Sequence, residues 1–352
     1  MNQLATKSID LLKQLIATPS ISKHEEATAN IIYQHLRAND VNFKRHLNNI
    51  WAVNEAFDPA RPTLLLNSHH DTVKPNSSYS RDPFQPTIEG GRLYGLGSND
   101  AGGALVSLIA TFIHFHKQRD LNYNLVLAAT AEEEISGNNG ISALWEHLPE
   151  IDSAIVGEPT QMRMAVAEKG LMVLDCTANG KSGHAARGEG KNAIYTAMND
   201  IAWIRNHQFE KVSNFLGPIK MTTTIINSGS KHNVVPNSCS FTVDVRTTDA
   251  YSNKETLSII KKSLDSEVRP RSTKLNPSYI TPDHPLVHAG QKLDINSYGS
   301  PTLSDQALMP VPSLKIGPGK SARSHTADEF IYLDEIEKGI DGYVNLLNHI
   351  IR

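Results

Sequence analysis

Cysteine is almost missing from this chain: Cys176 and Cys239 are the only two among 352 residues. Neither has a second Cys or a His at zinc-ligand spacing, which excludes a disulfide framework and a thiolate metal site and leaves both as core residues. Long apolar runs are missing too, since none approaches the ~18 residues of a membrane-spanning helix. Neither sign of charge dominates, with 34 Lys and Arg against 37 Asp and Glu and a net charge of -3. Without a basic field the chain has nothing to hold nucleic acid or a membrane surface, so a small polar ligand is expected. The opening MNQLATKSIDLLKQ lacks a charged region leading into an apolar core and a cleavage site. The expected setting is therefore the reducing cytoplasm. What is present is an ordinary globular composition, 39% hydrophobic and 20% charged, at a length that suits two domains or one domain carrying an insertion. The one excess is histidine, 15 residues, which hints at metal chemistry.

Periodicity divides the chain into two textures. Leu4, Leu11, Leu12, Leu15 and Ile16 share a helical face, and Ser22 with Glu25 forms a capping-box pattern ahead of an amphipathic run to Leu36. Thr63–Leu66, Leu125–Ala129 and Ala154–Val156 are short apolar runs without alternation, as in strands buried on both faces of a mostly parallel sheet. With the apolar helix pattern from Ala101 to His116 between them, these runs predict an α/β architecture with its ligand site outside the carboxyl ends of the strands. From about Leu171 the strands alternate instead: Leu171–Thr177, Met221–Ile226 and Cys239–Arg246, interleaved with helix patterns over 192–206 and 253–264. That order fits a small α+β domain with one open sheet face. A further strand at Pro312–Ile316 and a helix from Asp334 onward return to the first texture, so the middle reads as an insertion.

Residues with chemistry to offer cluster at the ends of the buried runs. Directly after the Leu64–Leu66 strand, His69 and Asp71 stand two residues apart, so Asp71 can accept the second ring N–H of His69 while the first nitrogen binds a metal; an isolated pair of this kind is more often a surface loop. Asp100 lies between glycines just before the long apolar helix, where an N-cap is the plain alternative. Glu132, Glu133 and Glu134 follow another buried strand. Three adjacent carboxylates repel unless a cation or a proton compensates, although a solvated helix start would also explain them. Glu158 follows a third strand, and His325 lies far downstream. Taken together, two His and several carboxylates at corresponding strand ends suit zinc, cobalt or manganese. Two other patterns fail: Asp100 stands where a dinucleotide fingerprint needs its third Gly, and Leu314 where a phosphate loop ending in Gly319-Lys320-Ser321 needs its first.

In order, SHHDTV, GLGSNDAGG, AEEEISG, GEPT, NGKSGHAAR, NVVP and SHTADEF resemble the co-catalytic zinc aminoacylase and exopeptidase family that includes acetylornithine deacetylase, succinyl-diaminopimelate desuccinylase and glutamate-releasing carboxypeptidases. The resemblance runs from about residue 5 to the end. It implies a mixed, mostly parallel sheet flanked by helices over residues 1–170 and 279–352, with a ferredoxin-like lid and dimerisation domain inserted at 171–278. It also implies two divalent metal ions, zinc first, with His69, Asp100 and Glu158 at one and Asp100, Glu134 and His325 at the other. Asp71 would stand behind His69, and Glu133 would be the general base. His184 would reach a partner subunit's site in a homodimer, and Asn233 and Arg246 would contact the substrate's carboxylate. Ser68 and Gly102 depart from the family's usual Gly and Lys, which touches the subfamily and not the ligands. The expected reaction is hydrolysis of an N-acyl amino acid, acetylornithine or a related acyl-ornithine of arginine biosynthesis. A desuccinylase or a metallo-dipeptidase is the alternative. An inactive binding protein on the same fold is the contrasting class, disfavoured because Glu133 and all five ligand candidates are present.

Overall fold

The computed structural model describes residues 3–352, which form two compact units. One holds everything up to Val166 together with Ile280–Tyr298 and Ser304–Arg352; the other holds Ala167–Tyr279 and the short return Gly299–Leu303.

The first unit opens with α1 (Gln3–Ile16) and α2 (Glu26–Ala38), which bury Leu11, Leu12, Leu15 and Ile16 on one and Ile32 and Leu36 on the other. The expected capping box does not form: α2 has no side-chain cap, and the Ser22 hydroxyl donates to Asp71 instead at 2.7 Å. There follow β1 (Phe43–His46), β2 (Asn49–Val53), β3 (Thr63–His69), β4 (Thr87–Glu89), β5 (Arg92–Tyr94), α3 (Gly103–Phe115), β6 (Asn124–Thr130), α4 (Ile141–Leu144), β7 (Ser153–Val156) and β8 (Met164–Glu168). Every residue of β3, β6 and β7 is buried, as runs without alternation require when both sheet faces are covered.

The second unit consists of β9 (Gly170–Asn179), β10 (Gly183–His184), α5 (Ala193–Asn206), β11 (Lys220–Ser228), β12 (Val234–Val235), β13 (Ser238–Thr247), α6 (Asn253–Ser263) and β14 (Glu267–Pro270). Its four-stranded antiparallel sheet has the order β11-β13-β9-β14, the ferredoxin-like arrangement expected. Met172, Leu174 and Cys176 of β9 and Phe241, Val243 and Val245 of β13 point into a core with residues of α5 and α6. The alternate residues, Asp244 and Arg246 among them, are only partly covered. A capping box does form here, between Ser252 and Glu255 at the start of α6.

The chain then completes the first unit with α7 (Pro285–Lys292), β15 (Ser313–Lys315), β16 (Phe330–Tyr332) and α8 (Leu333–Asn348). The main sheet runs β1-β2-β6-β3-β7-β15-β8; β6, β3, β7 and β15 are mutually parallel, and β2 is antiparallel to β6. Leu64, Leu66, Leu125, Leu127 and Ile155 face a core shared with α1, α3 and α8. Leu65, Val126, Ala128 and Val156 face α4 on the other side. Among the described residues no helix is long and apolar enough to cross a membrane.

Candidate metal centre

Register brings the acids and the first histidine to one edge of the sheet. His69 ends β3 opposite Thr130, which ends β6, and Asn67 lies opposite Val156, which ends β7. The residues that follow these ends, Glu133, Glu134 and Glu158, therefore emerge beside His69. Asp100 sits in an irregular turn, Ser98–Gly102, ahead of α3, with a cis peptide bond to Ala101. His325 lies on the loop between β15 and β16.

The geometry brings together a candidate donor set for a cation. His69 Nε2 is buried and makes no hydrogen bond, yet it lies 3.6 Å from Asp100 Oδ1, 3.7 Å from Glu158 Oε1 and 3.9 Å from Glu133 Oε2. These separations are too long for hydrogen bonds and suit atoms sharing an ion. Asp100 turns its other oxygen, Oδ2, to within 3.6 Å of His325 Nε2, which is 3.0 Å from Glu134 Oε2. One carboxylate thus faces two histidines with two different oxygens. His69 also belongs to two overlapping ligand groups, one with Asp100 and Glu134 and one with Glu133 and Glu158, each with its ligand atoms within 4.8 Å of one another.

The tautomer of His69 agrees. Its Nδ1 lies 3.0 Å from the Asp71 carbonyl oxygen, and a carbonyl can only accept, so Nδ1 carries the proton. A neutral ring in this tautomer would direct the lone pair of Nε2 at the carboxylates. The Asp71 carboxylate, 3.4 Å from Nδ1, is the more distant partner. Its hydrogen bonds go to the acidic loop, accepting from Glu133 N at 3.0 Å and Glu134 N at 3.2 Å and from Ser22. Glu132 leaves the site: it adopts a positive φ of 56°, and its side chain accepts from Asn139 N and Nδ2.

Electrostatics tell the same story. Burial works against a charged His69, but Glu133, Asp100, Asp71 and Glu158 outweigh it and lift the ring well above its ordinary pKa. The Glu134 hydrogen bond raises His325 to about 9, and burial, then Glu158, Asp305 and Glu134, push Glu133 up despite the opposing pull of His69. The cluster stabilises added positive charge, and a set of N and O donors without thiolate suits zinc, manganese or cobalt. Both cysteines are free and buried in the second unit.

The roles of three residues around this site escaped the motif reading. Ser22 holds Asp71. Glu329 accepts from Gly97 N, Asn99 N and Asp100 N at 2.9, 2.8 and 2.9 Å; burial and the charge of Asp100 raise it to about 8 against the pull of those donors. Asp305 accepts from Asn67 Nδ2 at 2.9 Å and Thr130 Oγ1 at 2.8 Å, and burial lifts it to about 6. All three find their partners far along the chain: Glu329 lies inside SHTADEF and Ser22 in a capping-box spacing, but neither pattern reveals these contacts, and nothing local marks Asp305.

In the second unit, β10 pairs with β12 so that His184 lies opposite Val234, and Ala185 N donates to Asn233 O at 3.1 Å. His184 and Asn233 are therefore neighbours, close to where β9 and β13 pair through Asn179 and Ser238. Arg246 pairs with Leu171 at the other end of the same strands, roughly 27 Å away at the rise of a strand. Its guanidinium is engaged with Asp244, Nε to Oδ1 at 2.9 Å and Nη2 to Oδ2 at 3.1 Å.

Comparison with known proteins turns on this same stretch of chain. The model of peptidase family M20/M25/M40 matches residues 65–349. The chain belongs to that family. As an M20 member it is a hydrolase of a metal-dependent kind. It is 29% identical over 374 residues to the acetylornithine deacetylase of Proteus mirabilis, covering 96% of this chain and 95% of that protein. It is also 29% identical over 275 residues to the succinyl-diaminopimelate desuccinylase of Buchnera aphidicola, covering 73% and 72%. In fold the M20 chain is similar to the aminopeptidase PepT of Bacillus cereus, with a TM-score of 0.78 at 17% identity over 98% of each chain. It is likewise similar to the YXEP protein of Bacillus subtilis, described as a dinuclear metal-binding peptidase, with a TM-score of 0.72 at 14% identity over 98% and 97%.

Proposed function

We propose that this protein is a two-metal amidohydrolase that removes the acyl group from an N-acyl amino acid. The observation that carries the reading is Asp100, whose two oxygens face His69 and His325 separately, as a carboxylate shared between two ions would. His69 and Glu158 would complete one position, and Glu134 and His325 the other. Divalent ions held there, zinc first and cobalt or manganese as substitutes, would supply the charge that acidifies water toward neutral pH and polarises an amide carbonyl. Glu133 takes the proton of the attacking water and returns it to the departing amine. Asp71 fixes the tautomer of His69 through its carbonyl and the acidic loop through its carboxylate.

Acetylornithine, or a related acylated diamino acid of arginine synthesis in the cytoplasm, is the first substrate to test, on the strength of relatives matched over nearly their whole length. The desuccinylase relative supports a second reading with a succinyl group. Arg246, if it exchanges its Asp244 partner for the substrate, would clamp the substrate's α-carboxylate; His184 and Asn233 would join it from the second unit of a partner subunit in a homodimer. Release of free amine from a panel of N-acetyl and N-succinyl amino acids tests the reading and separates its two forms. Failure to cleave any of them by protein that binds two zinc ions would overturn it.

A further inference from the structure

The geometry points to Glu329 as a positioning residue: its buried carboxylate fixes the turn carrying Asp100 against the loop carrying His325, so that both can serve one pair of ions. The inference rests on the two-metal reading above. Glu329 is 2% exposed and gathers three main-chain donors on two oxygens. Oε1 accepts from Asn99 N and Asp100 N, and Oε2 accepts from Gly97 N. The peptide N–H of Asp100 is therefore held directly by this side chain. Four residues before Glu329 in the same loop is His325. A second clasp ties the two segments on the far side of His325: Lys320 N donates to Asn99 Oδ1 at 2.9 Å, and Asn99 Nδ2 donates to Lys320 O at 3.2 Å. The main chain of Glu329 joins in, since its carbonyl accepts from Gly95 N at 3.0 Å. His325 and Asp100 thus sit on two strips of chain locked together before and after the histidine, with 3.6 Å between their facing atoms. A carboxyl group meets all three donors with its two oxygens. An amide in its place turns its own NH2 toward at least one main-chain N–H, leaving a buried donor facing a donor.

The test is zinc binding by the full chain, measured by chelator competition, together with the melting temperature of the metal-free protein. Wild type should bind two ions. Glu329→Gln should weaken at least one of them by about 10- to 100-fold, the usual effect of losing a group that orients a ligand, and Glu329→Asp, one methylene shorter, should fall between the two. Asp328→Asn is the control: it lies on the same loop but accepts from Ser80 N and Arg81 N, so it should change melting without changing zinc affinity. If Glu329→Gln does not fold, Glu329→Asp alone must show the loss of affinity. Wild-type affinity in the folded Glu329 variants, or an equal loss in Asp328→Asn, would overturn the assignment while leaving the two-metal reading intact. A wild type that binds no zinc would overturn both.

Discussion

Glu133 and Glu134 have the same side chain and adjacent main-chain donors to Asp71, so only their surroundings can give them different work. Glu134 is committed to a hydrogen bond with His325 at 3.0 Å, whereas Glu133 is raised by burial and by the acids around it, which suits a proton acceptor. Glu133→Gln should keep the wild-type metal content and lower kcat by about 100- to 10,000-fold. Metal analysis beside steady-state kinetics checks this, and loss of metal in that variant would reverse the two roles. Asp305 supports a pH prediction. Its folded pKa of about 6 lies above the ordinary value near 4, so folding favours its protonated form. The favourable contribution is complete below about pH 4 and is lost as pH rises through about 6, where an ionised carboxylate stays buried at a cost of roughly 2–3 kcal/mol. Asp305→Asn can still accept from Asn67 and Thr130. In the metal-free protein, its stability relative to wild type should be higher at pH 8 than at pH 4.5. Equal differences in urea midpoint at the two pH values would show that the carboxylate is not strained by burial.

At the scale of elements, the turn before α3 depends on close packing that a glycine permits. Gly95 has φ +145°, and a Cβ there would lie 2.3 Å from Ile16 Cγ2 at the end of α1; Gly90, with φ +57°, has nothing within 4 Å. Gly90→Ala should cost about 1 kcal/mol for its left-handed backbone alone, and Gly95→Ala should cost more, about 2–4 kcal/mol, by adding a core clash. Chemical denaturation of the two variants compares them directly, and equal losses would mean that α1 yields freely. The same contrast between local and distant causes explains what could be read in advance. β3, β6 and β7 were legible because burial on both faces writes itself into consecutive apolar residues. The inserted unit was legible because one open face imposes alternation, as Phe241 to Val245 display. The five ligand candidates were legible because each follows a strand or sits in a motif with a family pattern. Ser22 was not: Ser22 and Glu25 carry a capping-box spacing, but the hydroxyl finds Asp71, 49 residues on. Glu329 reaches back 232 residues to Gly97, and Asp305 reaches back 238 to Asn67. Periodicity reports how a residue relates to its neighbours, and these three are defined by tertiary partners.

For the whole molecule, the question is how many chains make one working site. In the second unit, His184 and Asn233 stand together while Arg246 stands at the other end of the same sheet, so within one such unit the three cannot close on one carboxylate. Supply of His184 and Asn233 by a neighbouring subunit removes that difficulty. The second unit also has a surface that pairing would cover. β11 is an edge strand with Ile225 and Ile226 each 52% exposed, and Tyr195 and Met198 of α5 are 66% and 57% exposed. An open edge flanked by apolar side chains is a liability in a monomer and an asset in a cyclic dimer, the commonest closed assembly. Ile226→Lys should therefore shift the protein toward monomer in sedimentation at working concentration. His184→Ala should lower kcat with both metals retained, as Glu133→Gln does for a different reason. Mixing these two inactive variants under subunit exchange then separates the arrangements. If His184 acts across the interface, a mixed dimer has one site with Glu133 and His184 both intact, and about half of the mixed dimer's sites regain activity. If His184 serves its own chain, every site in the mixed dimer lacks one of the two. Absence of recovery in verified mixed dimers, or full activity in a strictly monomeric protein, would rule out action in trans.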